Sequence, residues 1–277
     1  MSRYLLVDTS YAIFHRYFAT KVWYNLAHPE DKFEDDYDWF QNEIFLNSFK
    51  KNFYKSIEKI VKKYKVDCNK IIFARDCPRE LIWRMDFFKD YKANRVDKYG
   101  SAKGQINVGP FFKDVYETII PELCNTLGCA VFKKDKLEAD DIIALTKEYL
   151  QNLDFNSEFI IITNDHDLMQ LIDDKTTLIN LKNKVLNTKS CGNPKHDLEI
   201  KIICGDKSDN IPGCFKRCGQ KTAMKCILDK AELEKMFKKN PGSLDIYAKN
   251  KLIIDFSNIP VELKDGFLET LKTTICL

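Results

Sequence analysis

Aspartates stand at the ends of three short apolar runs in this chain. Asp8 follows Leu5-Leu6-Val7, Asp76 follows Ile72-Phe73-Ala74-Arg75, and Asp165 and Asp167 follow Ile160-Ile161-Ile162-Thr163-Asn164. Glu138, Asp140 and Asp141 sit where a helical pattern begins. Taken singly, each acid reads as an ordinary helix cap or first-turn residue, because a helix N-terminus favours negative charge. As a set they ask for more. If the runs are neighbouring parallel strands, the carboxylates meet at one edge of the sheet, where like charges repel and raise each other's pKa. A cation has to hold such a set together, and hard oxygen ligands favour Mg²⁺, with Mn²⁺ as a substitute. Two such ions stabilise the attacking and leaving oxygens of a phosphoryl displacement. Other chemical kits are missing. No glycine-rich phosphate loop follows the first run. The four histidines (His15, His28, His166, His196) lack metal-ligand spacing, and His166 is expected to point away from the acids on either side of it.

The elements that must position these acids are legible as alternating patterns. Tyr4–Val7, Lys70–Ala74 and Phe159–Ile162 read as buried strands, with weaker ones at Cys129–Phe132 and Thr177–Leu181. Between them, Phe49, Phe53, Ile57, Ile60 and Tyr64 share one helical face, as do Ile142, Leu145, Tyr149 and Leu150. Strands that are apolar throughout, separated by helices, predict a mostly parallel sheet covered on both faces. Residues 25–40 are acidic and aromatic and read as an inserted loop. Residues 77–110 are basic without a long core pattern. From about 191 the alternation stops and a glycine- and proline-punctuated helical region begins, which predicts a second, smaller module over 191–277 beside a core of 1–190.

The 277 residues are 44% hydrophobic, enough for a substantial core. A formal charge of +3, from 44 basic and 41 acidic residues, says little about partners by itself. Ten cysteines are scattered without a C-x-x-C pair, and Cys214 and Cys218 have no matching downstream pair, so zinc spacing is absent and reduced thiols are expected. The N-terminus has no secretory pattern and no apolar run approaches ~18 residues, so an intracellular protein, cytoplasmic or nuclear, without a membrane span is expected.

Four ordered blocks resemble the 5′-nuclease family: flap endonucleases, phage 5′-exonucleases and the 5′-nuclease domains of bacterial DNA polymerases. They are Leu6-Val7-Asp8; Phe73-Ala74-Arg75-Asp76 with Phe87-Phe88-Lys89-Asp90-Tyr91-Lys92-Ala93-Asn94-Arg95; Leu137-Glu138-Ala139-Asp140-Asp141 with Thr163-Asn164-Asp165-His166-Asp167-Leu168; and Gly205-Asp206-Lys207-Ser208-Asp209-Asn210-Ile211-Pro212-Gly213, running to Gly219-Gln220-Lys221-Thr222-Ala223. Together they span residues 4 to about 228. The resemblance implies a PIN-like α/β core with a helical arch at about 77–110 and a helix–three-turn–helix at about 198–228. It implies one metal on Asp8, Asp76, Glu138 and Asp140. A second would lie on Asp140, Asp165, Asp167 and Asp206, with Asp141 and Asp209 close by or acting through water. Lys92 and Arg95 match residues that reach the scissile phosphate from the arch, and Arg84, eight residues before Lys92, is expected to join them.

In the fourth block a glycine-bearing turn opens a helix and would present backbone N–H groups to a duplex phosphate. Lys216, Arg217, Gly219, Lys221, Thr222 and Lys225 form this candidate DNA-binding set. The stretch Cys214–Cys218 is one residue longer than the family's turn and lacks its internal glycine. No sliding-clamp motif and no polymerase domain are found, which places the chain nearer phage or viral members, acting as a monomer.

The function this implies is Mg²⁺-dependent hydrolysis of DNA at flaps, junctions or 5′ ends, with branched duplex or an RNA–DNA hybrid as partner. Two rivals stay open on the residues alone. A PIN-like ribonuclease would share the carboxylate-edged sheet but not need the fourth block. A structure-specific DNA-binding protein with a silent site would not need every acid in place.

Overall fold

The computed structural model describes residues 2–34, 37–94 and 108–275. Five strands, β1 (Arg3–Asp8), β2 (Ile71–Arg75), β3 (Ala130–Lys133), β4 (Glu158–Ile162) and β5 (Thr176–Ile179), form one all-parallel sheet in the order β3-β2-β1-β4-β5. The helices are α1 (Thr9–Ala27), α2 (Glu43–Tyr64), α3 (Arg84–Phe87), α4 (Gly109–Asp114), α5 (Ile120–Leu127), α6 (Ala139–Leu153), α7 (Pro194–Cys204), α8 (Gln220–Leu228), α9 (Lys230–Lys239), α10 (Ser243–Ile254) and α11 (Val261–Thr274). A π-helical turn, Val115–Ile119, joins α4 to α5.

Alternation along the strands divides the core in two. Leu5, Val7, Ile71, Phe73, Ile160 and Ile162 face α1, α2 and α5, whereas Tyr4, Leu6, Ile72, Ala74, Phe159 and Ile161 face α6 and α11. A strand buried on both faces has no polar side to show, which is why these runs lack a polar–apolar rhythm. The α2 stripe of Phe45, Phe49, Phe53, Ile57 and Ile60 is fully buried; truncating one of its phenylalanines to alanine removes about 3–5 kcal/mol. Asn42 caps this helix by accepting the Phe45 N–H, and Lys65 ends it in the left-handed region at φ 53°.

The chain leaves β1 toward β2 on one side, and β4 lies on the other. The sheet order therefore reverses at β1, and such reversal points open a crevice at the strand ends. The acids following β1, β2 and β4 gather at this crevice.

Three regions carry detail beyond the sequence pattern. The stretch 25–40 is not simply an inserted loop: residues 25–27 end α1, and Trp39, 3% exposed, packs on Tyr24, Phe33 and Phe45. Within the stretch 77–94, Cys77, Ile82, Trp83, Arg84 and Tyr91 are buried in the fold, and Lys92 reaches the acid crevice. Residues 95–107, including Arg95, lie outside the described residues. The C-terminal helical region packs on two different surfaces. Ile259, Phe267 and Leu271 pack with Phe132 and Trp83, which sets α11 against the sheet, whereas Ile202 of α7 and Ile253 and Ile254 of α10 pack with Cys77, Ile82 and Tyr91.

Candidate metal centre

Each acid reaches the crevice by a local device. Asp8 is the last residue of β1 and the N-cap of α1; one carboxylate oxygen accepts the Tyr11 N–H at 3.0 Å and the other accepts the Thr163 hydroxyl at 3.3 Å. Asp76 follows β2 and accepts the Ala139 N–H at 2.8 Å and the Ser10 hydroxyl at 2.6 Å. Glu138 is the N-cap of α6, with Asp140 in the first turn after it. Asp165 lies beyond β4, where its own N–H donates to Thr163 Oγ1 and its carboxylate accepts the Asp167 N–H, both at 2.9 Å.

Asp8, Asp76, Glu138, Asp140 and Asp165 line a single cavity of about 350 Å³, shared with Lys92, Ser10, Tyr11, Phe14 and Phe112. Lys92 is the only base among the described lining residues. Burial, then the Asp76 and Asp165 charges, push Asp8 up to about 7. Burial, then Asp165 and Asp8, hold Asp140 well above the carboxylate range. Four carboxylates beside a single paired lysine are under-neutralised, and oxygen donors massed this way fit a hard divalent cation.

Glu138 behaves differently. Burial alone would raise it, but Lys92 and Arg84 outweigh that and hold it at about 2. Its Oε1 is paired with Lys92; its Oε2 accepts from Arg84 at 2.9 Å and from Tyr91 at 3.0 Å. Lys92 takes a left-handed conformation, φ 56°, and its N–H donates to the Asp209 carbonyl at 2.9 Å.

The acids expected to form the second site divide. Asp165 lies with the first group, whereas carboxylate oxygens of Asp167, Asp206 and Asp209 come within 4.8 Å of one another. Lys201, on α7, forms ion pairs with both Asp167 and Asp206, the latter at 2.7 Å. Burial would raise Asp206, but Lys201 and then Ser208 hold it at about 2. Nothing in the sequence singled out Lys201, one of two lysines in an ordinary helical stretch. Ser10, two residues after Asp8, was likewise missed.

Asp141 and Arg84 lie behind Glu138, outside the cavity lining. Asp141 is fully buried and away from the cavity lining. It closes a capping box on the Glu138 N–H and accepts from Trp83 Nε1 at 3.1 Å and from Arg84 at 2.6 and 2.8 Å. Arg84 is 3% exposed and also donates to the Ile253 carbonyl at 2.7 Å. Its helix ends at Phe87, so it shares no helical face with Lys92, and its guanidinium is the buried counter-charge of Asp141 and Glu138. His166 meets Lys189 at 3.1 Å and also feels the charges of Asp165, Lys201 and Asp206.

The fourth block forms a tight turn. Asp206 and Ile211 exchange backbone hydrogen bonds at 2.9 and 2.7 Å. A Cβ at Gly205, φ +70°, would lie 2.5 Å from the Ile211 carbonyl oxygen, so only glycine fits there. The longer stretch before α8 works without an internal glycine because Arg217 itself adopts φ 57°. Gly219 begins α8 with no side-chain cap and open space around it, leaving first-turn N–H groups available. Lys216, Arg217, Lys221 and Lys225 are exposed and Thr222 is half-buried.

The family model of the 5′-3′ exonuclease, N-terminal resolvase-like domain, matches residues 3–201. DNA polymerase I of Lactococcus lactis subsp. cremoris is 26% identical over 264 residues, covering 92% of this chain; the chain spans 27% of that relative's length. A 5′-3′ exonuclease of Bacillus subtilis is 26% identical, over 85% of this chain and 73% of its own. The T5 5′-exonuclease with bound zinc superposes with a TM-score of 0.70 at 17% identity, covering 99% of both chains, a likeness of fold. The bacteriophage T5 flap endonuclease, solved as a pseudo-enzyme–product complex with DNA and metal ions, superposes at 0.68 and 16% identity, covering 99% of both chains. The family-model match, over residues 3–201 and so most of the chain, shows that this chain belongs to the 5′-3′ exonuclease family.

Proposed function

We propose that this chain is a structure-specific 5′ nuclease that hydrolyses DNA phosphodiesters at flaps, junctions or 5′ ends during replication or repair. Mg²⁺ is its working ion, with Mn²⁺ able to substitute. The observation that carries the reading is the convergence of Asp8, Asp76, Glu138, Asp140 and Asp165 on one cleft with Lys92 among them. Asp8, Asp76, Glu138 and Asp140 would hold one ion. Asp165, Asp167 and Asp206 would serve the second, with Asp209 beside them. When bound, such ions supply Lewis-acid stabilisation of the transferring phosphoryl group and a more acidic water.

The chain's own groups account for the remaining steps. Lys92 sits at Glu138 inside the cleft, poised to exchange that carboxylate for a phosphate oxygen, whose charge grows in the transition state. Arg84 and Tyr91 keep Glu138 ionised and aimed at the cleft. Tyr11, Phe14 and Phe112 give a sugar or base an apolar wall. The open N-terminus of α8, with Lys216, Arg217, Lys221 and Lys225, grips the duplex backbone without reading sequence. In this reading the protein works as a monomer on branched or 5′-ended duplex, or on an RNA–DNA hybrid, inside the cell where DNA is replicated. Its catalytic unit is the α/β core with α11, and its duplex anchor lies in α7–α10.

Labelled 5′-flap, nicked duplex and single-stranded RNA, each incubated with Mg²⁺ and with EDTA, test this. Cleavage of the DNA substrates in Mg²⁺ only is expected. Preferential cleavage of the RNA, or none of any substrate, would overturn it.

A further inference from the structure

We propose that Tyr116 and Ser10 form a directed hydrogen-bond relay that fixes the Asp76 carboxylate for ion binding, which makes Tyr116 a positioning residue of the centre. The inference rests on the reading of the cleft as a metal site. Ser10 Oγ lies 2.6 Å from Asp76 Oδ2 and 2.7 Å from the Tyr116 hydroxyl. A serine hydroxyl has one proton. The carboxylate can only accept it, so Ser10 donates to Asp76 and Tyr116 must donate to Ser10. The other Asp76 oxygen, Oδ1, accepts the Ala139 N–H at 2.8 Å. Both oxygens are thus tethered, one to the start of α6 and the other through α1 to the α4–α5 segment. Each keeps a further lone pair for the cleft that Asp76 lines.

The backbone shows how Tyr116 is held in place. Pro121 in α5 has no N–H to give and its ring would crowd the Glu117 carbonyl in a regular α-helix. The chain answers with the π turn Val115–Ile119, which widens the helix where Tyr116 sits; such turns recur at functional sites. The Arg75 guanidinium lies 4.2 Å from the centre of the Tyr116 ring and restrains it further. Arg75 is the last residue of β2 and the neighbour of Asp76, so the ring and the carboxylate are referenced to the same strand end.

Partners behind a metal ligand typically govern about 10–100-fold of affinity. The test is Mn²⁺ titration of the full chain, read by the EPR signal of the free aquo ion, with thermal midpoints recorded in parallel. Asp76→Asn sets the scale. Tyr116→Phe and Ser10→Ala are each expected to weaken Mn²⁺ binding about tenfold or more with little change in midpoint. The Ser10→Ala/Tyr116→Phe double variant should be no worse than Ser10→Ala, because a relay broken at its middle has nothing further to lose. Additive losses, or affinities within twofold of the parent in the single variants, would overturn the relay. Should Tyr116→Phe fail to fold, the Ser10→Ala titration alone decides, by the same twofold criterion. If Asp76→Asn itself leaves Mn²⁺ affinity intact, the metal reading of the cleft fails and the relay falls with it. If only the Asp76 variant loses affinity, the relay alone fails.

Discussion

Replacing Arg84 separates a buried counter-charge from a phosphate ligand. Arg84 is 3% exposed and gives two hydrogen bonds to Asp141, one to Glu138 and one to the Ile253 carbonyl. Asp141 is 0% exposed, and its remaining donors are Trp83 Nε1 and the Glu138 N–H. Arg84→Met keeps much of the side-chain volume but leaves a carboxylate buried without its cation. Breaking a buried ion pair from one side costs about 3–5 kcal/mol, because the stranded charge keeps its desolvation penalty. Loss of the bond to the Ile253 carbonyl, which ties α3 to α10, adds roughly 1 kcal/mol. A chain of this kind holds about 5–15 kcal/mol in total, so the variant should be severely destabilised. Urea unfolding followed by circular dichroism measures the loss, and cleavage under conditions where the variant stays folded measures chemistry. The expected result is a stability loss of at least about 3 kcal/mol. A loss below about 1 kcal/mol together with a large fall in single-turnover rate would refute the burial argument and return Arg84 to the phosphate.

Three further outcomes follow from the geometry. Lys92→Ala should slow single-turnover cleavage more than it weakens DNA binding, since the ammonium sits in the cleft where charge develops; a loss confined to the binding constant would contradict this. Lys221→Ala should weaken flap and duplex binding alike and reduce the slope of log affinity against log salt by about 0.9, with single-strand cleavage little changed; an unchanged slope would remove α8 from the duplex anchor. Asp173 is held at about 2, burial opposing and the Lys147, Thr176 and Gln151 hydrogen bonds outweighing it. A depressed carboxylate adds stability above its unfolded pKa and loses it as pH falls through the folded one. Asp173→Asn should therefore destabilise near neutral pH and narrow its deficit between about pH 4 and pH 2 in acid unfolding curves, whereas a deficit independent of pH would contradict the pairing.

What was legible in the sequence was whatever depends on local pattern. The strands, the α2 stripe and the acids at strand ends follow from periodicity and from where an apolar run stops. Pairings across long separations were not legible. Arg84 and Asp141 are 57 residues apart, and no local feature says which of several acids an arginine will meet. The same holds for Lys201, which reaches Asp206 on the next turn and Asp167 from another element. The exact place of Asp141 was not legible because an acid three residues after a helix cap serves a capping box as well as it serves a metal, and the choice is made by the partner that arrives. The placement of α11 was hidden for a similar reason: an amphipathic helix shows that it has an apolar face, not which surface covers it.

Everything proposed for this cleft depends on its acids performing the chemistry. Single-turnover cleavage of a 5′-flap duplex in Mg²⁺ by Asp140→Asn and Asp165→Asn, with DNA affinity measured beside it, addresses that dependence without intermediaries. Each variant removes a carboxylate charge from the cavity but no cationic phosphate contact. Cleavage should be abolished with affinity largely intact. Activity within about tenfold of the parent, roughly 1.4 kcal/mol of barrier, would show that the chemistry lies elsewhere.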